Sequence, residues 1–390
     1  MTPTPSAIDF LKASTQTARH FGFEELDKIK ASVARKVSEE NFTHKATASD
    51  KRTDALHGML TGGVCTYIDN RLYRTNEPVL YYSTNTVPRT GETALSLHVL
   101  GVPKSIAEAL LIQTTRALFE DLGYSDHVVK INSLGDQDSV ARYARELTHY
   151  LKKRMEELPQ PARELMKEHV FSTLMYLIDK DHELAGRSPN PLEYLSDQSR
   201  RHFREIIEFL DMSQTPYEID PKLIGNHQCY SEALFTIEAL DPEVSGEQPI
   251  LVRGGRYDTF ISRVSDDTLS AAGAVVVLRG KKAPARIPQP RKDAKPLLFV
   301  VQLGFGPKIR SLLLVNDLKR AGISVLQDVV SDSLSTQLQK AEDRGIRYAL
   351  IIGQKEYIDK TVIVRNLHAR SQEFVSMDSI LSYLKRITRV

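Results

Sequence analysis

Apolar positions along the chain recur with two periods, one helical and one alternating. Ile8, Leu11, Ala18 and Phe21 fall at helical spacing, and Gly22 closes that run as a helix C-terminal glycine does. An extended segment begins at Phe23, and Lys30 to Lys51 is a charged excursion with few large apolar residues. Val79-Leu80-Tyr81-Tyr82 predicts a central strand, while Ser83 to Glu92 has the composition of a loop. Ile106, Leu110, Thr114, Leu118 and Leu122 repeat every fourth residue and predict a helix over 104–122. His127 to Ile131 predicts a strand and Asn132 to Asp136 the turn into a helix bearing Val140, Tyr143, Leu147 and Leu151. The stretch 159–217 is helical and strongly charged, with Phe203, Ile206, Ile207 and Leu210 on one face. Leu223, Ile224, Tyr230 and Phe235 carry a strand-pair pattern. Ile250-Leu251-Val252 then predicts a strand ending at Arg253-Gly254-Gly255-Arg256-Tyr257-Asp258, and Ala271 to Leu278 a buried strand or helix.

After 280 the pattern lapses. Residues 281–296 are rich in proline and alanine, have no apolar period and read as a linker. With Arg279 before them, Lys281, Lys282, Arg286, Arg291 and Lys292 make this the most basic stretch of the chain, fit to track a phosphate backbone or to be a solvated spacer. From 297 to 390 strands and helices alternate, with Ser333 as a helix cap, which predicts a second domain: a small α/β sandwich with a mostly parallel sheet.

Composition narrows the function classes only a little. The chain has 390 residues, 41% hydrophobic and 26% charged, with a net charge of +2, so any basic surface must be local. Two cysteines, Cys65 and Cys229, are too few for a disulfide framework and point to a reducing compartment. His227-x-Cys229 with His57 and Cys65 lacks the spacing of a zinc site, so no metal is expected. The first residues lack a basic, apolar leader, and no apolar run approaches the ~18 residues of a membrane span. A cytoplasmic protein without a membrane partner is expected.

The chemistry gathers around Gly254-Gly255-Arg256-Tyr257-Asp258. Two glycines permit close backbone approach, and a cation, a ring and an acceptor follow them. This string with the glycine-bearing run after it, the Leu122-Gly123-Tyr124 turn, the Ile131-Asn132-Ser133-Leu134-Gly135-Asp136 turn and the Pro191-Leu192-Glu193-Tyr194-Leu195 stretch resembles histidyl-tRNA synthetases, class II aminoacyl-tRNA synthetases, over nearly the whole chain. The resemblance implies an α+β fold: a class II antiparallel sheet core with helices over 1–280, with a helical insertion at about 159–217, and a C-terminal α/β anticodon-binding-like domain over 297–390. It implies that the insertion lies over a tRNA acceptor arm, although a helical cap with solvated charges fits the residues equally. Arg365 and Asn366 would face RNA or form a turn's structural pair.

Where the family places arginines against ATP or the developing mixed anhydride, this chain has Pro88, Gly225 and Gly280, with Arg89 and Arg279 each one position away. One pocket tyrosine becomes Cys229 while Tyr230 remains, the family's Arg-Pro-Glu-Gly-Thr region is replaced by Lys51 to Leu56, and Ile29 stands in place of the dimer-forming proline. Losing one preorganised donor costs on the order of 3 kcal/mol, a hundredfold or more in rate. The expectation is therefore a degenerate, non-catalytic paralogue that binds tRNA or a protein partner, with Gly254, Gly255, Arg256, Tyr257, Asp258 and Tyr230 as ligand-binding residues unless that string only holds the sheet together. A homodimer through the core is the assembly the family implies. Two alternatives stay open: an active, divergent histidine-tRNA ligase using ATP and Mg with Arg89 and Arg279 as substitutes, and a regulatory subunit of ATP phosphoribosyltransferase, which generally lacks the second domain.

Overall fold

The structure is a computed structural model and describes residues 4–25, 60, 78–87, 90–225, 229–239, 249–264, 269–284 and 296–388. Ile29, the 30–51 excursion, Lys51 to Leu56, His57, Cys65, Pro88, Arg89, His227, Arg286, Arg291 and Lys292 lie outside the described residues.

An eight-stranded sheet organises the first domain, in the order β1-β2-β3-β8-β7-β6-β4-β5. Its strands are β1 (Glu24–Glu25), β2 (Val79–Thr86), β3 (Glu92–Leu100), β4 (His127–Gly135), β5 (Tyr217–Ile219), β6 (Ser231–Ala239), β7 (Ile250–Arg256) and β8 (Ala271–Lys282). The six inner strands pair antiparallel and the two short edge strands parallel. Both faces are covered. Helices α1 (Ala7–His20), α2 (Ile106–Asp121) and α7 (Asp197–Met212) bury one face with Phe10, Leu110, Phe119, Ile206 and Phe209. Helices α3 (Gln137–Lys152), α4 (Gln160–Glu168), α5 (Val170–Asp179) and α6 (Glu183–Gly186) pack toward the other through Tyr143, Leu147, Phe171 and Leu174.

Several elements differ from the pattern. Ser83 to Thr86 is strand rather than loop, because its small polar side chains pair in register with 93–96. Asn132 to Gly135 likewise continues β4, and the helix starts only at its Asp136 cap. Leu223 and Ile224 are buried without being strand, so β6 begins at Ser231. In α1 the buried position is Phe10, and Ile8 is exposed.

The second sheet runs β10-β9-β11-β12-β13, from β9 (Leu298–Gln302), β10 (Val325–Gln327), β11 (Tyr348–Ile352), β12 (Thr361–Asn366) and β13 (Ser371–Ser376). Only β10, β9 and β11 run parallel; β12 and β13 turn back antiparallel, so the sheet is mixed rather than mostly parallel. Helix α8 (Asp258–Val264) follows β7, and helix α9 (Phe305–Arg320) lies between the domains. It packs on α2, and Arg320 pairs with Glu120 at 2.7 Å while His20 Nε2 donates to the Val315 carbonyl at 2.8 Å. Lys104 of the first domain reaches Asp332 of the second at 2.7 Å.

Candidate functional site

Strand β7 carries the glycine pair into the middle of the sheet, where neighbouring strands leave no room for side chains. A Cβ at Gly254 would lie 2.4 Å from Phe235 Cζ, and one at Gly255 would lie 2.7 Å from the Ala233 carbonyl oxygen. Because side chains alternate across a strand, Arg256 then points to the face under α2, where it is 1% exposed. Its guanidinium grips Glu108 in a fork, Nε to Oε1 and Nη2 to Oε2, both at 2.8 Å. The remaining N–H groups go to the carbonyls of Val102 (3.0 Å) and Lys104 (3.1 Å) and toward Asp258 Oδ2 (3.5 Å). All five donors are committed. Burial pushes the Glu108 carboxyl up, but the charges of Arg256 and of His202, 2.8 Å away, outweigh it and hold the pKa at about 2. Arg256 thus joins β7 to α2 and leaves no N–H group over for a ligand. Asp258 adds a further tie, with Oδ1 accepting from the Ala271 N–H at 2.5 Å.

Tyr257 turns to the opposite face and is fully buried, its hydroxyl hydrogen-bonded to His98 Nδ1 at 3.0 Å. Cross-strand register lays two rungs over this face. One runs Ser96, Val275, Arg253, Thr236 and Lys130; the next runs His98, Gly273, Gly255, Leu234 and Asn132. Much of the second rung is packed shut. Leu60, Tyr81, Tyr230, Leu234 and Tyr257 belong to one buried apolar cluster, and a Cβ at Gly273 would meet Leu60 Cδ2 at 2.8 Å. His98 stacks on Tyr81 with ring centroids 4.6 Å apart, and burial lowers its pKa to about 3, so the ring is neutral. Among the described residues, Ser96 Oγ, His98 Nε2 and Asn132 Oδ1 of this face are buried without a hydrogen-bond partner.

The first rung stays open at its far end, under a cleft of about 410 Å³ bounded by Asp179 of α5 and the 220–225 loop. Gly225 lines that cleft with a left-handed φ of +57° and, having no side chain, brings no charge; a Cβ there would meet Tyr230 at 2.8 Å. Arg279 also lines it. The 271–282 element is strand throughout, so the one-residue offset between Arg279 and Gly280 is a change of sheet face rather than a rotation about a helix. Gly280 is exposed, with its N–H on Glu92 Oε1 at 2.8 Å. Tyr230 is buried against this wall, and its hydroxyl pKa is raised by burial. Cys229 is buried, and among the described residues no group of His, Cys, Asp and Glu could hold a metal. Arg253 also lines the cleft, a residue that the hydrophobic pattern does not single out. Its only signal is a cation directly after the apolar run 250–252, at the parity opposite Arg256.

In the second domain, helix α10 (Leu334–Asp343) packs on β9, and among the described residues no helix covers the Ile363 side of β12 and β13. There Phe374, 63% exposed, sits opposite Ile363, and half-buried Arg365 opposite Gln372. Asn366 is the structural member of a turn, with Oδ1 accepting from the N–H groups of His368 (3.1 Å) and Ala369 (3.0 Å). Lys281 and Lys282 are exposed at the end of β8. Among the described residues, no helix is long and apolar enough to cross a membrane.

Comparison with known proteins places these features in context. The anticodon binding domain family matches residues 311–387. The histidine–tRNA ligase of Symbiobacterium thermophilum is 28% identical over 365 residues, covering 89% of this chain and 83% of that one. The histidine–tRNA ligase of a Geobacillus species is 25% identical over 362 residues, covering 90% and 85%. Among solved structures, the apo histidyl-tRNA synthetase of S. aureus superposes with a TM-score of 0.54 at 18% identity, over 95% of this chain and 93% of that one, a likeness of fold.

Proposed function

We propose, for a chain that is histidyl-tRNA synthetase-like in its class II core and carries an anticodon-binding domain behind it, that it works in the cytoplasm as an RNA-binding protein that does not activate an amino acid. One observation carries the reading: the only arginine of the Gly-Gly-Arg-Tyr-Asp string is fully engaged by Glu108, two carbonyls and Asp258, on the face away from the cleft. Gly225 and Gly280 offer no side chain where the resemblance expects cations. Activation of a carboxylate by ATP builds negative charge in the transition state, and each absent preorganised donor costs a hundredfold or more in rate.

Binding is supported by the second domain. A large aromatic exposed on an edge strand is a liability unless something covers it, and Phe374 beside Arg365 offers a stacking platform next to a cation. tRNA is the partner the anticodon-binding domain favours. Equilibrium filter binding of the full chain to tRNA tests this. Binding should weaken as salt rises, and Phe374→Ala should lower affinity about fivefold or more, since one base stacked on an aromatic contributes roughly 1–3 kcal/mol. Salt-independent binding, or an unaltered Phe374→Ala variant, contradicts it.

A further inference from the structure

The geometry points to a second binding site in this chain, anchored by Arg253, for a compact anion presenting two or more oxygens, a phosphoryl or carboxylate group, in the cleft above β4, β6, β7 and β8. Arg253 projects from the sheet into that cleft, half-buried, and among the described residues no hydrogen bond or ion pair engages its side chain. Other charged groups of the cleft have neighbours: Lys130 holds Glu238 at 2.8 Å, Lys222 leans to Asp181 at 3.5 Å, and Asp220 accepts the Lys222 backbone N–H at 2.9 Å. A guanidinium is a planar fork that matches a carboxylate or phosphate edge with two parallel bonds. Held half out of water without a partner, it loses hydration that an arriving oxyanion replaces.

The surroundings limit what fits. Arg279, on the neighbouring strand β8, lines the same cleft and adds a second guanidinium to its wall. Gly225 packs its backbone against Tyr230 and Leu234, where a Cβ would meet Tyr230 Cδ2 at 2.8 Å, so it closes that wall of the cleft without adding a charge. The volume of about 410 Å³ lies in the lower part of the ~300–1,000 Å³ range of small-molecule sites. Asp179, Asp220 and Glu238 stand in the walls and repel an extended polyanion, which separates this cleft from any RNA surface. The inference goes beyond RNA binding and does not depend on it.

Isothermal titration calorimetry of the full chain at low ionic strength tests it, with inorganic pyrophosphate in one arm and succinate in the other to tell a phosphoryl from a carboxylate ligand. At least one should bind at a single site. Arg253→Gln should weaken that binding at least tenfold, Arg253→Lys less, because the charge stays while the fork is lost, and Arg279→Gln by several-fold. In the unaltered protein, the bound probe should shield Arg253 from phenylglyoxal, read by mass spectrometry, which keeps the test sharp even if a variant folds poorly. Absence of binding in both arms, equal binding by Arg253→Gln, or Arg253 modified equally with and without probe overturns the site. Loss of tRNA binding bears only on the preceding proposal, and tRNA affinity should be the same for Arg253→Gln.

Discussion

The two faces of the eight-stranded sheet handle charge in opposite ways. Under α2, Arg256, Glu108 and His202 form a closed set in which every guanidinium N–H has an acceptor. On the other face Ser96, His98 and Asn132 keep bare polar atoms, and Arg253 stands in a cleft without a protein partner among the described residues. Two arginines three residues apart on one strand thus have different work: the first faces a cavity, the second locks a helix to the sheet. The presence of the Gly-Gly-Arg-Tyr-Asp string is accordingly a statement about architecture here, and the chemistry of the face must be judged from what surrounds it.

The sharpest way to break this contrast is to remove one partner of the closed set. Glu108→Ala should leave the buried Arg256 charge uncompensated and destabilise the chain by about 3–5 kcal/mol, read by urea unfolding, while Glu108→Leu combined with Arg256→Met should recover much of the loss. Unchanged stability of the single variant would dissolve the distinction between the faces.

A next, smaller effect comes from pH on the open face. His98 has a folded-state pKa of about 3 against an ordinary 6.5, so the unfolded chain takes up the proton and acid favours unfolding between those values. Lowering pH from 6.5 to 5 should cost up to about 2 kcal/mol through this group alone, and His98→Gln should flatten that slope. Above pH 6.5 the variant's slope should match the parent's. Glu108, whose folded pKa lies at about 2 rather than 4.5, adds stability that is present above 4.5 and is lost as pH falls from there toward 2.

Gly255→Ala should cost about 1–3 kcal/mol, since the added methyl meets backbone atoms at 2.7 and 2.9 Å that cannot move independently. Thermal unfolding measures it, and a neutral result would mean that the strands around Gly255 can spread. Smallest of all, Arg253→Gln should change stability by no more than about 0.5 kcal/mol. Set against Arg256, that difference is itself the comparison in two variants.

How much of this was legible depended on how local the signal was. The helix predicted over 104–122 forms at Ile106–Asp121 because its apolar repeat is its own, and the Tyr348–Ile352 strand is five apolar residues between Arg347 and Gly353. Ser83–Thr86 was hidden because serine, threonine and asparagine spell a loop until neighbouring strands cover them. The β13 strand left almost no trace, since five of its six residues are exposed and only Val375 is buried. The mixed order of the second sheet is likewise set by partners far apart in sequence. Alternation places Arg253 and Arg256 on opposite faces; it cannot say which face holds Glu108, 148 residues away. That one contact decides which arginine is structural.

The most direct measurement is histidine-dependent ATP–pyrophosphate exchange by the full chain with Mg. We predict no exchange above the enzyme-free blank, because Pro88, Gly225 and Gly280 stand where the resemblance places the arginines that would carry the developing charge. Exchange that requires histidine and saturates with it would contradict the account.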